Sequence, residues 1–232
     1  MSRRLVRGLD LSLTGAGIAG AGWAQTLGSK GKRTDTYAMR RARLHRLADR
    51  ILDTVGPCDL AVVEGPSYGS RGAGTWDRAG LWWLVVDRLA ARDIPVAVVT
   101  PSARAKYATG DGRAGKQAVL DAVGPRYGVA LRDDNQADAY VLLAMGHDWL
   151  DESLADVPKK NRAALARVEW PLLLPPPAVQ LGIGGDDRPY PDTVTAAPRR
   201  TRKRKPRPSV EQPVACPGQV DALALVAEVS AA

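Results

Sequence analysis

Hydrophobic positions along this chain follow two periods, and the places where one gives way to the other outline the fold. Residues 5–11 (LVRGLDL) form a short apolar run closed by the turn residues 12–14, and predict a first strand. Residues 15–23 (GAGIAGAGW) predict a small-residue second strand, and a short third around 26–29 would complete an antiparallel meander. Over 37–55 the period becomes helical, with Leu44, Leu47, Ile51 and Val55 on one face, and Gly56-Pro57 stops the helix. Residues 59–64 (DLAVVE) read as a continuous apolar strand of the kind buried in a parallel sheet, ended by Gly65-Pro66. A glycine-rich loop then leads to a helix over 75–92 that carries Trp76, Leu81, Trp82, Trp83, Val86 and Leu89. Residues 94–100 (IPVAVVT) make a fifth strand, and Pro101 opens a short helix. Beyond the loop 109–113, helices are predicted over 114–123 and 133–150. Three strands in succession, then alternating helices and strands, predict an α/β domain: a mixed five-stranded sheet flanked by helices.

Composition divides the chain further. Its 232 residues, 45% of them hydrophobic, suffice for one full core, placed over 1–150, with a short extension at 151–178 and a Pro/Arg-rich tail at 179–232. Only 219–229 is apolar enough there for a terminal helix. Of the net charge of +8, seven units come from the segment 199–207 (RRTRKRKPR), so the body is nearly neutral. Such a run is expected to be largely disordered, as a solubilising tail or as an arm whose Arg199, Arg200, Arg202, Lys203, Arg204 and Lys205 bind phosphates and release counterions; the arm is the favoured reading. Cys58 and Cys216 have no metal-ligand spacing and suggest a reducing compartment. No apolar run marks a signal peptide or reaches 18 residues, so a soluble protein of the cytoplasm, without a membrane partner, is expected.

Two glycine motifs invite nucleotide readings that their contexts oppose. Gly15-x-Gly17-x-x-Gly20, with Asp35 following, matches a dinucleotide fingerprint, but Gly22, Gly28 and Gly31 break up the segment where a helix should open. Gly110-x4-Gly115-Lys116 echoes a phosphate loop, yet Gln117 stands where a magnesium-binding hydroxyl is required.

The acids are more telling. Asp10 closes the first predicted strand, Glu64 closes the fourth, and Asp134 and Asp138 share a face at the start of the last helix. Local structure could account for some of them: Asp10 could cap a turn, and Asp133 or Asp134 could be the helix N-cap. Carboxylates remote in sequence but alike in position also suit hard divalent cations, and so point to a phosphodiester-cleaving enzyme.

The blocks GLDLSLTGAGIA, LAVVEGPSYG, TPSARAKYATGDGRAGKQAVLDAV and DDNQADAYVLLAMG, in this order over residues 4–150, resemble the RuvC-type Holliday junction resolvases, especially those of bacteriophages. The resemblance implies an RNase H-like fold, a homodimer, and magnesium-dependent cleavage of branched DNA to 5′-phosphate ends, with two Mg²⁺ per site that Mn²⁺ could replace. It assigns Asp10, Glu64 and Asp138 as ligands, and leaves open whether Asp134 or Asn135 completes the set. Lys116 matches the family's basic residue at the scissile phosphate, with Lys106 as companion and Arg113 in the same stretch. Tyr68, Arg71 and Trp76, in and beside the glycine-rich loop, are candidates to stack on or bind an opened junction. The Trp82/Trp83 helix is the candidate dimer interface. Two other classes remain in view: a non-catalytic binder of branched DNA, and an actin-like ATPase or sugar kinase, for which the chain is too short to hold both domains.

Overall fold

The computed structural model describes residues 3–66, 72 and 74–172. Tyr68, Arg71 and the basic run 199–207 lie outside the described residues.

The first three strands, β1 (Val6–Asp10), β2 (Ala16–Gly20) and β3 (Trp23–Leu27), form the expected antiparallel meander. Helix α1 (Tyr37–Val55) leads to β4 (Leu60–Glu64), and α2 (Thr75–Ala90) leads to β5 (Val96–Val99). Strands β4 and β5 run parallel to β1, giving the order β3-β2-β1-β4-β5. That mixed five-stranded sheet is the RNase H-like arrangement. The chain continues through α3 (Pro101–Thr109), α4 (Lys116–Tyr127), α5 (Asp134–Trp149) and a short α6 (Lys159–Arg162).

Alternation along the central strands divides the core in two. Leu9, Ala61 and Val63 pack with Leu47, Ile51, Leu81 and Val85 of α1 and α2. Val6, Leu60 and Val62 pack with Leu142, Leu143 and Met145 of α5, together with α3 and α4. Because side chains alternate faces with a period of two, Asp10 and Glu64 project on the same side as Val6 and Leu60, toward α5. Helix α5 lies very close to the sheet. A Cβ at Gly8 would stand 2.0 Å from the Ala139 carbonyl oxygen, and one at Gly17 equally close to that of Asn135. Gly17 of the apparent dinucleotide motif is therefore a seat for α5, whereas Gly20 makes room for the Trp23 ring of β3. Helix α5 is buried from Gln136 to Asp148, which explains why its middle, residues 139–146, is apolar on every side.

The structure moves several boundaries. The second strand ends at Gly20 instead of 23, because Gly22 takes φ 81° in a tight turn and Trp23 already begins β3. The third strand accordingly ends at Leu27. Helix α4 starts two residues late and runs through Pro125 to Tyr127, where Gly128 at φ 62° caps it. Tyr127 packs on the core, which offsets the hydrogen bond Pro125 cannot make.

Beyond α5, residues 151–170 pack on the body. The buried Asp148 accepts from Tyr107 (3.1 Å) and from Arg162 Nε (2.8 Å), Asn161 donates to the Tyr107 carbonyl (2.9 Å), and Trp149 stacks on Trp170. Glu169 bridges Val98 on the outer edge of β5. Among the described residues no helix is long and apolar enough to cross a membrane.

Candidate active site

Strand register brings the first two acids side by side. Leu9 pairs with Val63, so the next residue of each strand, Asp10 and Glu64, stands at the same end of the sheet. The third acid comes from α5. Its N-cap is Asp133, whose carboxylate accepts from Gln136 N (2.9 Å) and from the Thr26 hydroxyl of β3 (2.8 and 2.9 Å). With capping assigned to Asp133, Asp134 is free for another role, and Asp138 lies one turn deeper on the same face, 3% exposed.

A residue that sequence reasoning passed over sits among these acids. The Arg104 guanidinium donates from Nε to Glu64 and from a terminal nitrogen to Asp138. It reaches both because Glu64 pairs with Val99 in β5, so α3, capped by Thr100 and opened by Pro101, begins beside Glu64 and presents Arg104 one turn in. A basic residue one helical turn past a strand that adjoins the Glu64 strand was the available signal. Lys106 lies about 200° farther round α3, turned away from these carboxylates.

The electrostatics follow from burial. Desolvation pushes the Asp10 carboxyl up to about 7; the Glu64 carboxylate adds to the rise and Asp134 contributes, while Arg104 and Lys116 oppose it. Lys116, the first residue of α4, bonds Asp134 and holds its carboxyl below the usual range. Asn135 turns its side-chain amide toward Gly15 in the loop after β1.

A cleft of about 180 Å³ opens next to the acids, lined by Asp10, Glu64, Thr75, Arg78 and Trp82. Trp82 donates its indole N–H to the Glu64 carbonyl (2.9 Å), which ties α2 to the end of β4. Arg78 was also missed, being one basic residue in an ordinary amphipathic helix. Trp76 is 85% exposed on the first turn of α2, and Trp83 is 58% exposed, edge-on to Trp82. Arg113 is exposed in the loop before α4.

The donors suit hard cations in kind: carboxylates from β1, β4 and α5 in mutual electrostatic reach, one of them, Asp10, pushed up to about 7 by burial and by the neighbouring Glu64. Arg104 stands between Glu64 and Asp138, and among the described residues no three His, Cys, Asp or Glu stand close enough to hold an ion together. Chemically, the arrangement offers carboxylate oxygens around a guanidinium, with Lys116 and Arg78 at its margins.

No family model matches the chain, and no curated protein matches it. Solved structures do. Thermus thermophilus RuvC superposes with a TM-score of 0.49 at 20% identity, covering 66% of this chain and 99% of that one. The same protein in complex with a Holliday junction substrate gives 0.48 at 21% identity, over 67% of this chain and 99% of that one. A yeast mitochondrial Holliday junction resolvase gives 0.39 at 13% identity, over 72% of this chain and 82% of that one. The chain is similar to the two Thermus thermophilus RuvC structures over about two thirds of its length.

Proposed function

We propose that this protein is a structure-selective endonuclease that cleaves branched DNA, Holliday junctions or forks, with two Mg²⁺ ions. The observation that carries the reading is the convergence of Asp10, Glu64 and Asp138 at one end of the sheet, around a buried positive charge. Asp10, Glu64, Asp138 and either Asp134 or Asn135 would hold the ions, and Mn²⁺ has the chemistry to replace them. Bound there, the cations would supply Lewis acidity to an in-line attack of water on the phosphodiester, leaving a 5′-phosphate.

The chain's own residues do the rest. Lys116, with 71% of its side chain exposed, meets a DNA phosphate and offsets negative charge developing on it. Lys106 and Arg113 add phosphate contacts from the α3–α4 region, and Trp76 offers an aromatic face to an unpaired base beside the cleft. Tyr68, Arg71 and the basic run 199–207, by their chemistry, would add contacts to bases and phosphates. A second copy, docked through the exposed Trp83 face of α2, would present two centres to the two strands of a symmetric junction.

A non-catalytic binder of branched DNA is the second reading, favoured by Arg104 standing between two of the proposed ligands. The apparent dinucleotide and phosphate-loop glycines have structural roles, since Gly17 seats α5 and Gly110 is the C-cap of α3. End-labelled four-way, three-way and linear DNA, incubated with Mg²⁺ or EDTA, separates the readings. Metal-dependent incision confined to branched substrates is expected, whereas tight junction binding without incision would leave the binder.

A further inference from the structure

Arg104 answers a question that the proposed centre raises: what balances its carboxylates when no metal is bound. Its side chain is 11% exposed, and the side chains of its partners Glu64 and Asp138 are 16% and 5% exposed, so the two ion pairs are largely withdrawn from water. A divalent ion drawing on the same oxygens competes with the guanidinium for them and is repelled by its charge. Releasing the guanidinium is costly as well, because a desolvated charge without a partner is strongly unfavourable.

The planar fork of an arginine fits phosphate as well as it fits carboxylate. Arg104 acts on the charge of Asp10 together with Lys116, so both stand within electrostatic reach of the end of β1 where a scissile phosphate would lie. The helix that carries it is fixed: Ala103, Ala105, Tyr107 and Ala108 are buried and Thr100 caps it, so an exchange of partners needs only the arginine side chain to turn.

From this arrangement we infer that Arg104 is a displaceable internal counter-ion. It keeps the carboxylates closed to metal until a DNA phosphate takes over its guanidinium, and metal loading and DNA binding are thereby cooperative. The inference rests on the nuclease reading above and adds an order of assembly to it. A free enzyme would bind metal weakly, and each ligand would raise the affinity for the other by the same factor.

Mn²⁺ binding followed by electron paramagnetic resonance tests this on the full chain, with and without saturating four-way junction DNA. Without DNA, Arg104→Gln should bind Mn²⁺ about tenfold more tightly than wild type or better, since charge-assisted bonds that compete with the ion are gone. Junction DNA should tighten Mn²⁺ binding to wild type and do little for the variant. Unchanged or weaker Mn²⁺ binding by Arg104→Gln without DNA would overturn the inference, because Arg104 would then be positioning the ligands. Should circular dichroism show Arg104→Gln unfolded, Arg104→Lys decides: it keeps the charge but loses the two-pronged bond, so tightening is expected and its absence overturns the idea. Wild-type protein that binds Mn²⁺ with DNA and cuts, beside variants that bind no tighter, sinks the counter-ion alone. Wild type that neither binds Mn²⁺ nor cuts sinks the nuclease reading with it.

Discussion

Replacing Asp10 with Asn removes a charge that the metal-free fold holds at a cost, and the cost has a defined pH range. Burial and the neighbouring Glu64 raise the Asp10 carboxyl from 3.8 to about 7 in the folded protein. Between those values the folded state keeps a proton that the unfolded chain has released. Stability therefore falls as pH rises from about 4 to about 7, and is level above that. At about 1.4 kcal/mol per unit the ceiling is about 4 kcal/mol, and coupling to Glu64 makes about 2 to 4 kcal/mol the working range. Asn mimics the protonated acid, so in EDTA at pH 8 Asp10→Asn should be more stable than wild type by that amount. At about 2–4 °C per kcal/mol, this is a rise in Tm of roughly 4–16 °C. At pH 5, about one unit into that range, the difference should shrink to less than half of its value at pH 8. With Mg²⁺ the order should reverse, since the variant has lost a ligand, and cleavage should be abolished while junction binding persists. Thermal melts at the two pH values, with EDTA and with Mg²⁺, check this; equal Tm values in EDTA at pH 8, or the same gain at pH 5, would refute the reasoning.

The remaining predictions concern the ligand set, the seat of α5 and the exposed tryptophan. Glu64→Gln and Asp138→Asn should each abolish cleavage with junction binding intact, and comparison of Asp134→Asn with Asn135→Ala in the same assay identifies the fourth ligand by whichever is severe. Gly8→Ala should destabilise by about 3 kcal/mol or more, because its Cβ would meet the backbone of α5 2.0 Å away, and a urea midpoint equal to wild type would disprove that contact. Trp83→Glu should leave the circular dichroism unchanged and convert a dimer to a monomer in sedimentation, since Trp83 is exposed whereas Trp82 is tied to Glu64; wild type already monomeric at micromolar concentration would remove the symmetric-cleavage mechanism.

What the sequence determined by itself is the series of elements and the positions of their acids. Period-two and helical patterns, with Gly-Pro stops, are local properties, so β1, α1, β4 and α2 were legible to within a residue or two, and so was the place of Asp10 and Glu64 at strand ends. The meander boundary was misplaced because small residues fit strand and turn alike, and only pairing of Gly20 with Trp23 decides between them. Which glycines serve a ligand and which a helix was also beyond local reading, since Gly8 and Gly17 are explained by α5, more than a hundred residues away. Arg104 is the sharpest case. Nothing in its neighbourhood sets it apart from Lys106, and its role depends on three elements meeting: β4 beside β5, α3 opening at that edge, and α5 crossing the same end of the sheet. Pattern and propensity act over a few residues, whereas the pairing of a buried charge is settled only when distant segments close around it.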